Sequence, residues 1–137
     1  QAEDGIRDRS PSRGLGDVYK RQLLDQSVIA GIGNVYRSEF LFILGIHPER
    51  SSCDLTDVDI RGLWEVAGEQ LRQGVRLNRI VTVSREDSGA LAGRVKSDDA
   101  LYVYKRAGQP CRRCGTEISI GDLGGRSCWW CERCQFR

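Results

Sequence analysis

Apolar residues recur at three- and four-residue spacing through the first half of this chain, then give way to a stretch rich in glycine, serine and charge, and finally to a cysteine-rich end. Leu23, Leu24, Val28 and Ile29 fall near one face of a short helix that Gly31 ends, and Gly31-Ile32-Gly33 makes a tight reversal. Asn34 then reads as the N-cap of a second helix running to about Leu44, with Val35, Tyr36, Phe40, Leu41 and Leu44 as its apolar positions. Gly45 closes it and His47-Pro48 leads out into an extended turn. A third helix is expected from Thr56, whose hydroxyl can cap the amide of Val58 or Asp59, with Asp57 and Asp59 in its positive first turn. Ile60, Leu63, Trp64, Ala67, Leu71 and Val75 mark its packed stripe, and Arg61, Glu65, Glu69, Gln70, Arg72 and Gln73 its wet side. These three helices predict a small all-helical core.

Beyond Asn78 the character changes. Ile80-Val81-Thr82-Val83 is strand-like in composition, and 84–99 reads as a loop between modules. Leu101 and Val103 re-enter a packed region. The end predicts a hairpin, with Ile118-Ser119-Ile120 and Cys128-Trp129-Trp130 as its strands and Asp122 to Gly125 as its turn. The first 21 residues are polar, carry Ser10-Pro11-Ser12 and lack apolar periodicity, so they read as a leader, disordered or foreign to the native protein. The expected division is therefore a leader over 1–21, a helical domain and connecting loop over 22–100, and a cysteine module over 101–137.

Composition narrows the partners only slightly. Lys and Arg number 21 against 19 Asp and Glu, a formal charge of +2 that argues for nothing alone. The distribution says more, because from Tyr102 onward seven basic residues face three acidic ones. A divalent ion held by four thiolates would remove two charges and leave that tail modestly positive. No apolar run is long enough to span a bilayer, and no secretory pattern is visible.

The sharpest chemical signal is Cys111-x2-Cys114 followed by Cys131-x2-Cys134. Two CxxC turns supply four thiolates to one tetrahedral ion, and Zn²⁺ accepts that set without a directional demand of its own. The pattern predicts one structural zinc in a reducing, cytosolic setting, in preference to disulfides. So short a hairpin needs the metal for much of its folding free energy. Cys128 falls outside both pairs and reads as a buried small residue or a free thiol, while Cys53 has no identifiable partner.

Two further constellations bear on nucleic acid. Gly31 and Gly33 bring backbones close where a helix presents free amides, so a phosphate fits beside Gly33 and Asn34; the competing reading is that the glycines permit the turn and Asn34 caps its own helix. Arg126 follows the hairpin turn, where its guanidinium can grip two phosphates or simply sit in water. Lys105, Arg106, Arg112 and Arg113 can add nonspecific phosphate contacts. Trp129 and Trp130 invite base stacking but suit the core better, as do Tyr36 and Trp64. His47 has no Asp, Glu or Cys at ligand spacing and reads as a structural turn residue. No constellation of catalytic groups is visible.

Leu24-Asp25-Gln26, Ala30-Gly31-Ile32-Gly33-Asn34-Val35-Tyr36-x-x-Glu39 and Gly45-Ile46-His47-Pro48 together resemble the helix–two-turn–helix domain of the formamidopyrimidine-DNA glycosylase / endonuclease VIII family. Val103-Tyr104-x-Arg106-x-Gly108-x-Pro110-Cys111-x-x-Cys114-Gly115, Gly125-Arg126-Ser127 and Trp130-Cys131-x-x-Cys134-Gln135 resemble that family's zinc finger, in the family's order. The resemblance implies a mainly α fold, a helix–two-turn–helix domain followed by a four-cysteine zinc-finger β-hairpin. It implies a monomer acting on double-stranded DNA that contains a damaged base or abasic site, in the bacterial cytoplasm at the nucleoid. Such enzymes flip an oxidised base from the duplex, cleave its glycosidic bond and nick the strand. By the same resemblance Asn34 and Arg126 are phosphate contacts and Cys111, Cys114, Cys131 and Cys134 hold the zinc. The family's nucleophile is an N-terminal proline amine followed by glutamate, and this chain begins Gln1-Ala2-Glu3. The catalytic half is thus expected to be missing and the 137 residues to lack glycosylase activity. Gly33 to Glu39 and the Cys128-Trp129-Trp130-Cys131 run lean toward the endonuclease VIII branch and oxidised pyrimidines, with the 8-oxoguanine branch as the alternative. A zinc-stabilised binding module without chemistry is the remaining reading.

Overall fold

A computed structural model describes residues 33–51, 54–89 and 94–136. The expected leader, the first helix with its Leu23 to Ile29 face, and Cys53 lie outside the described residues. Among those described, the order is α1 (Asn34–Leu44), α2 (Asp57–Leu77), a one-turn α3 (Arg85–Ser88), a 3-10 turn (Ser97–Asp99), β1 (Ser119–Leu123) and β2 (Arg126–Trp130). This is the expected mainly helical unit followed by a β-hairpin.

α1 starts one residue earlier than a side-chain cap would place it. Gly33 is the N-cap, at φ 92°, where an L-residue is strained, and no side chain caps the helix. The expected cap, Asn34, is the first helical residue, so its amide is released for other work. Gly45 closes α1 in the left-handed conformation, its N–H bonding to the Leu41 and Phe42 carbonyls. α2 opens with the expected cap completed as a reciprocal box: Thr56 Oγ1 accepts from Asp59 N at 3.1 Å, and Asp59 Oδ2 accepts from Thr56 N at 3.0 Å.

Leu44 lies against Gly62 and Tyr36 against Gly74, so α1 and α2 run antiparallel. The seam on α2 is narrower than its apolar residues suggest. Ile60, Leu63 and Ala67 are buried, whereas Trp64, Leu71 and Val75 are 51%, 40% and 84% exposed. The contact row continues through Gly74, whose missing side chain admits the Tyr36 ring. Helical phase explains the correction: 60, 63, 67 and 74 share one seam, and 64, 71 and 75 sit one position off it.

α1 is the shared wall. Every residue from Tyr36 to Phe42 is buried. Phe40 and Leu41 pack with Leu55, Leu63 and Ala67 on one side, while Phe42 joins Val83, Tyr102, Val103, Ile118 and Trp129 on the other. The segment 80–83 pairs with no strand, despite its β-branched composition; Thr82 and Val83 donate instead to the Ala100 carbonyl, at 2.9 and 3.1 Å. The 84–99 loop holds a turn of helix capped by Ser84, whose hydroxyl accepts from Asp87 N at 3.1 Å.

Candidate nucleic-acid interface and metal centre

The hairpin is antiparallel, with Leu123 opposite Arg126 and Ser119 opposite Trp130. Gly124 and Gly125, at φ 64° and 83°, make the two-residue turn that matches strand twist. Asp122 Oδ1 accepts from Gly125 N at 2.9 Å and steadies it. Trp129 and Trp130 point to opposite faces of β2, yet both are 7% exposed, so both are core and neither is a stacking platform. Trp129 meets Tyr104 edge-on; Trp130 meets His47 edge-on and crosses the strand over Gly121, where a Cβ would lie 2.7 Å from its ring. His47 is itself buried, with Nδ1 accepting from Glu49 N at 3.1 Å and Nε2 facing Glu132 Oε2 at 3.3 Å.

The four thiolates of the two CxxC turns converge. The Sγ atoms of Cys111, Cys114, Cys131 and Cys134 all lie within 4.8 Å of one another, with Cys111–Cys134 at 3.8 Å and Cys114–Cys131 at 3.4 Å. A tetrahedral ion with metal–sulfur bonds of about 2.3 Å has sulfur–sulfur edges of about 3.8 Å, so the cluster fits such an ion. Each turn is held from the backbone: Gly115 N bonds Cys111 O at 2.9 Å, Gln135 N bonds Cys131 O at 3.1 Å, and Arg113 N points at Cys111 Sγ from 3.4 Å. Hydrogen bonds from Thr116 bring the Cys114 thiol down to about 6, while burial pushes the Cys131 and Cys134 thiols up. Four crowded thiols cannot all ionise without a cation among them, which is the chemistry of a closed structural metal site. Cys128 stands apart, fully buried, its Sγ 3.6 Å from Ser38 Oγ, with burial raising its thiol.

The helix start and the hairpin meet at one carbonyl. Asn34 Nδ2 donates to Ser127 O at 3.1 Å, and Arg37 Nη2 donates to the same oxygen at 3.2 Å. Arg126, the preceding residue, is exposed at the start of β2. The first intrahelical bond of α1 runs from Arg37 N to Gly33 O, so the N–H groups of Asn34, Val35 and Tyr36 have no partner within the helix. A Cβ on Gly33 would meet nothing within 4 Å among the described residues. Asn34 Oδ1 and Arg37 Nε are buried without a hydrogen bond. The sequence pattern assigns Arg37 no role; its signal is its position three residues after Asn34, on the same helical face.

Arg106 is not part of this surface. It is 8% exposed and turned inward, donating to Gln109 Oε1 at 3.2 Å, to Pro110 O at 2.8 Å and to the Tyr102 carbonyl. Its donors are spent on one side-chain oxygen and two backbone carbonyls inside the fold, where the expected phosphate contact would need them turned outward. Arg112 and Arg113 are likewise engaged, with Asp99 at 3.4 Å and Asp87 at 3.3 Å. Of the expected DNA contacts, Gly33, Asn34 and Arg126 are brought together and Arg106 is not.

The formamidopyrimidine-DNA glycosylase H2TH domain matches residues 14–86, just over half of the 137. The chain belongs to the formamidopyrimidine-DNA glycosylase / endonuclease VIII family. The match begins within the stretch expected to be leader. Endonuclease 8 1 of Mycobacterium tuberculosis is 36% identical over 134 residues, covering 93% of this chain and 50% of that protein. The formamidopyrimidine-DNA glycosylase of Pelotomaculum thermopropionicum is 41% identical over 117 residues, covering 85% and 41%. The chain thus spans about half the length of the curated relatives it matches. Among solved structures, Lactococcus lactis Fpg with abasic-site DNA superposes with a TM-score of 0.64 at 25% identity, over 89% of this chain and 47% of that one. The family is one of DNA glycosylase/lyases, and the matched half carries the helical domain and the four-cysteine hairpin.

Proposed function

We propose that this chain is the DNA-gripping half of a bifunctional glycosylase and abasic-site lyase of base-excision repair, of the formamidopyrimidine type that favours 8-oxoguanine. Its partner is duplex DNA carrying a damaged base or abasic site, bound as a monomer in the bacterial cytoplasm. The single observation that carries the reading is the shared Ser127 carbonyl, which locks the open amides at the start of α1 beside Arg126. Asn34 keeps a second amide proton for a phosphate oxygen, and Arg126 offers a rigid fork of donors to the next. Cys111, Cys114, Cys131 and Cys134 would hold one Zn²⁺, whose contribution is to fix the hairpin. The branch rests on the match to the formamidopyrimidine-type domain and on its relatives; the oxidised-pyrimidine branch, favoured by sequence, retains the endonuclease 8 relatives in its support.

The test is duplex affinity of the zinc-loaded chain against Asn34→Ala/Arg126→Ala. Removing both phosphate donors should weaken binding about tenfold or more and flatten its salt dependence by about one unit, the share of the charged Arg126. Unchanged affinity with intact zinc content sinks the reading. Protein-dependent nicking of lesion-bearing duplexes by these 137 residues alone would refute its assignment as the non-catalytic half.

A further inference from the structure

The C-terminal end of α2 and the segment after it enclose a cleft of about 550 Å³ whose walls carry Arg76, Arg79, Arg85 and Arg94. Val81 and Val83, both buried, line it, and among the described residues no carboxylate does. The walls are tied in place. Gln73 Nε2 donates to Val81 O at 2.8 Å, and Arg79 donates to the Val95 carbonyl. Asp87, the nearest acid on α3 with direct neighbours in the fold, is turned away onto Tyr102 Oη at 2.6 Å and Arg113 Nε at 3.3 Å. Glu86 is exposed beside Arg85 but is not on the cleft wall.

Four arginines lining one concavity bring like charges together and focus positive potential into it. Elsewhere Arg50, Arg112 and Arg113 each meet a carboxylate, at 3.3, 3.4 and 3.3 Å. Among the described residues Arg76, Arg85 and Arg94 meet none. The negative end of α2 does not cancel the field, because the Gly74 and Val75 carbonyls are already capped by the N–H groups of Arg79 and Asn78. A planar, always-charged fork suits the tetrahedral oxygens of a phosphoryl group. We propose that this cleft is a second anion site, one that takes a phosphoryl group. Gly74, two residues before Arg76, lies against Tyr36 in the first turn of α1, so the helix end that carries Arg76 packs beside the helix start of the proposed DNA grip. The expected source is therefore a backbone phosphate of the same nucleic acid, and that source, though not the anion site, rests on the proposed DNA-binding function.

Two arms test it on the full zinc-loaded chain, comparing wild type, Arg76→Gln/Arg94→Gln, and Arg72→Gln as an exposed control outside the cleft. Inorganic phosphate should shift the arginine Nε–Hε NMR signals of the cleft saturably, and the double variant but not the control should abolish the shift. For a duplex oligonucleotide, the slope of log affinity against log salt should fall by about one unit for each phosphate that the double variant no longer neutralises. Phosphate binding with an unchanged duplex slope keeps the anion site and assigns it to a small phosphorylated ligand. A reduced slope without a free-phosphate shift keeps it and assigns it to the polymer. No shift and no change in slope overturns the proposal. If wild type fails to bind duplex at all, the DNA reading falls while the phosphate arm still reads the cleft. Zinc content and helical circular dichroism establish that each variant is folded, and Arg85→Gln repeats the test at a position remote from α2.

Discussion

Glu39 sits mid-helix with no exposed surface and gathers four donors. Tyr102 N reaches Oε2 at 2.7 Å, while Val103 N and Tyr104 N reach Oε1 at 2.8 and 2.9 Å; the Thr82 hydroxyl completes the set. A buried carboxylate is costly unless so satisfied, and here it fixes a run of three consecutive amides that have no strand partner. Glu39→Ala should cost ~3 kcal/mol or more, because three N–H groups, two of them buried, lose their acceptor at once. Glu39→Gln should also destabilise, since its amide nitrogen replaces an acceptor with a donor. Urea midpoints of the zinc-loaded proteins measure both. The sequence shows Glu39 as a motif position and a polar residue in an apolar helix, and neither reveals its partners 43 to 65 positions away.

At the scale of elements, the α1–α2 pair turns on close approach. A Cβ at Gly74 would lie 2.5 Å from Tyr36 Oη, and the Tyr36 ring is buried and stacked on Phe40 at 5.1 Å. Alanine for glycine inside a helix gains about 1 kcal/mol of propensity, whereas overpacking costs ~1–3 kcal/mol. Gly74→Ala should therefore destabilise in the wild-type background and become neutral or stabilising in Tyr36→Phe, where the obstructing oxygen is gone. A thermal-denaturation double-mutant cycle reads this directly, and additive effects would disprove the contact. The helix lengths, the Thr56 box and the Gly45 stop were legible because each is written in neighbouring residues. The packed stripe was legible at Ile60, Leu63 and Ala67 but not beyond, because the seam runs on through a glycine and passes beside Trp64, Leu71 and Val75.

For the whole molecule, α1 joins both cores, so the metal hairpin and the helix pair share one wall. Gln135 adds a second tie, donating to Ile46 O at 2.8 Å while accepting from Cys131 N at 2.8 Å. A zinc ion held by these four thiolates would supply on the order of 10 kcal/mol. Chelation of the reduced protein should collapse the hairpin, expose Trp129 and Trp130 to water, and weaken duplex binding although neither Asn34 nor Arg126 is a ligand. Tryptophan emission and duplex titration with and without chelator check this. Cys131→Ser should lower bound zinc, whereas Cys128→Ser should leave one metal per chain, as measured by elemental analysis.

The sequence alone determined the thiolate set, the turn that presents Arg126 and the helix on which Asn34 and Glu39 ride, since ligand spacing, caps and periodicity act over a few residues. Only the tertiary structure decided that Asn34 releases its cap to reach Ser127, that Arg106 turns inward, and that four arginines line one cleft. Those outcomes depend on which long-range acceptor a donor finds once the chain is packed. A one-dimensional pattern does not carry that information.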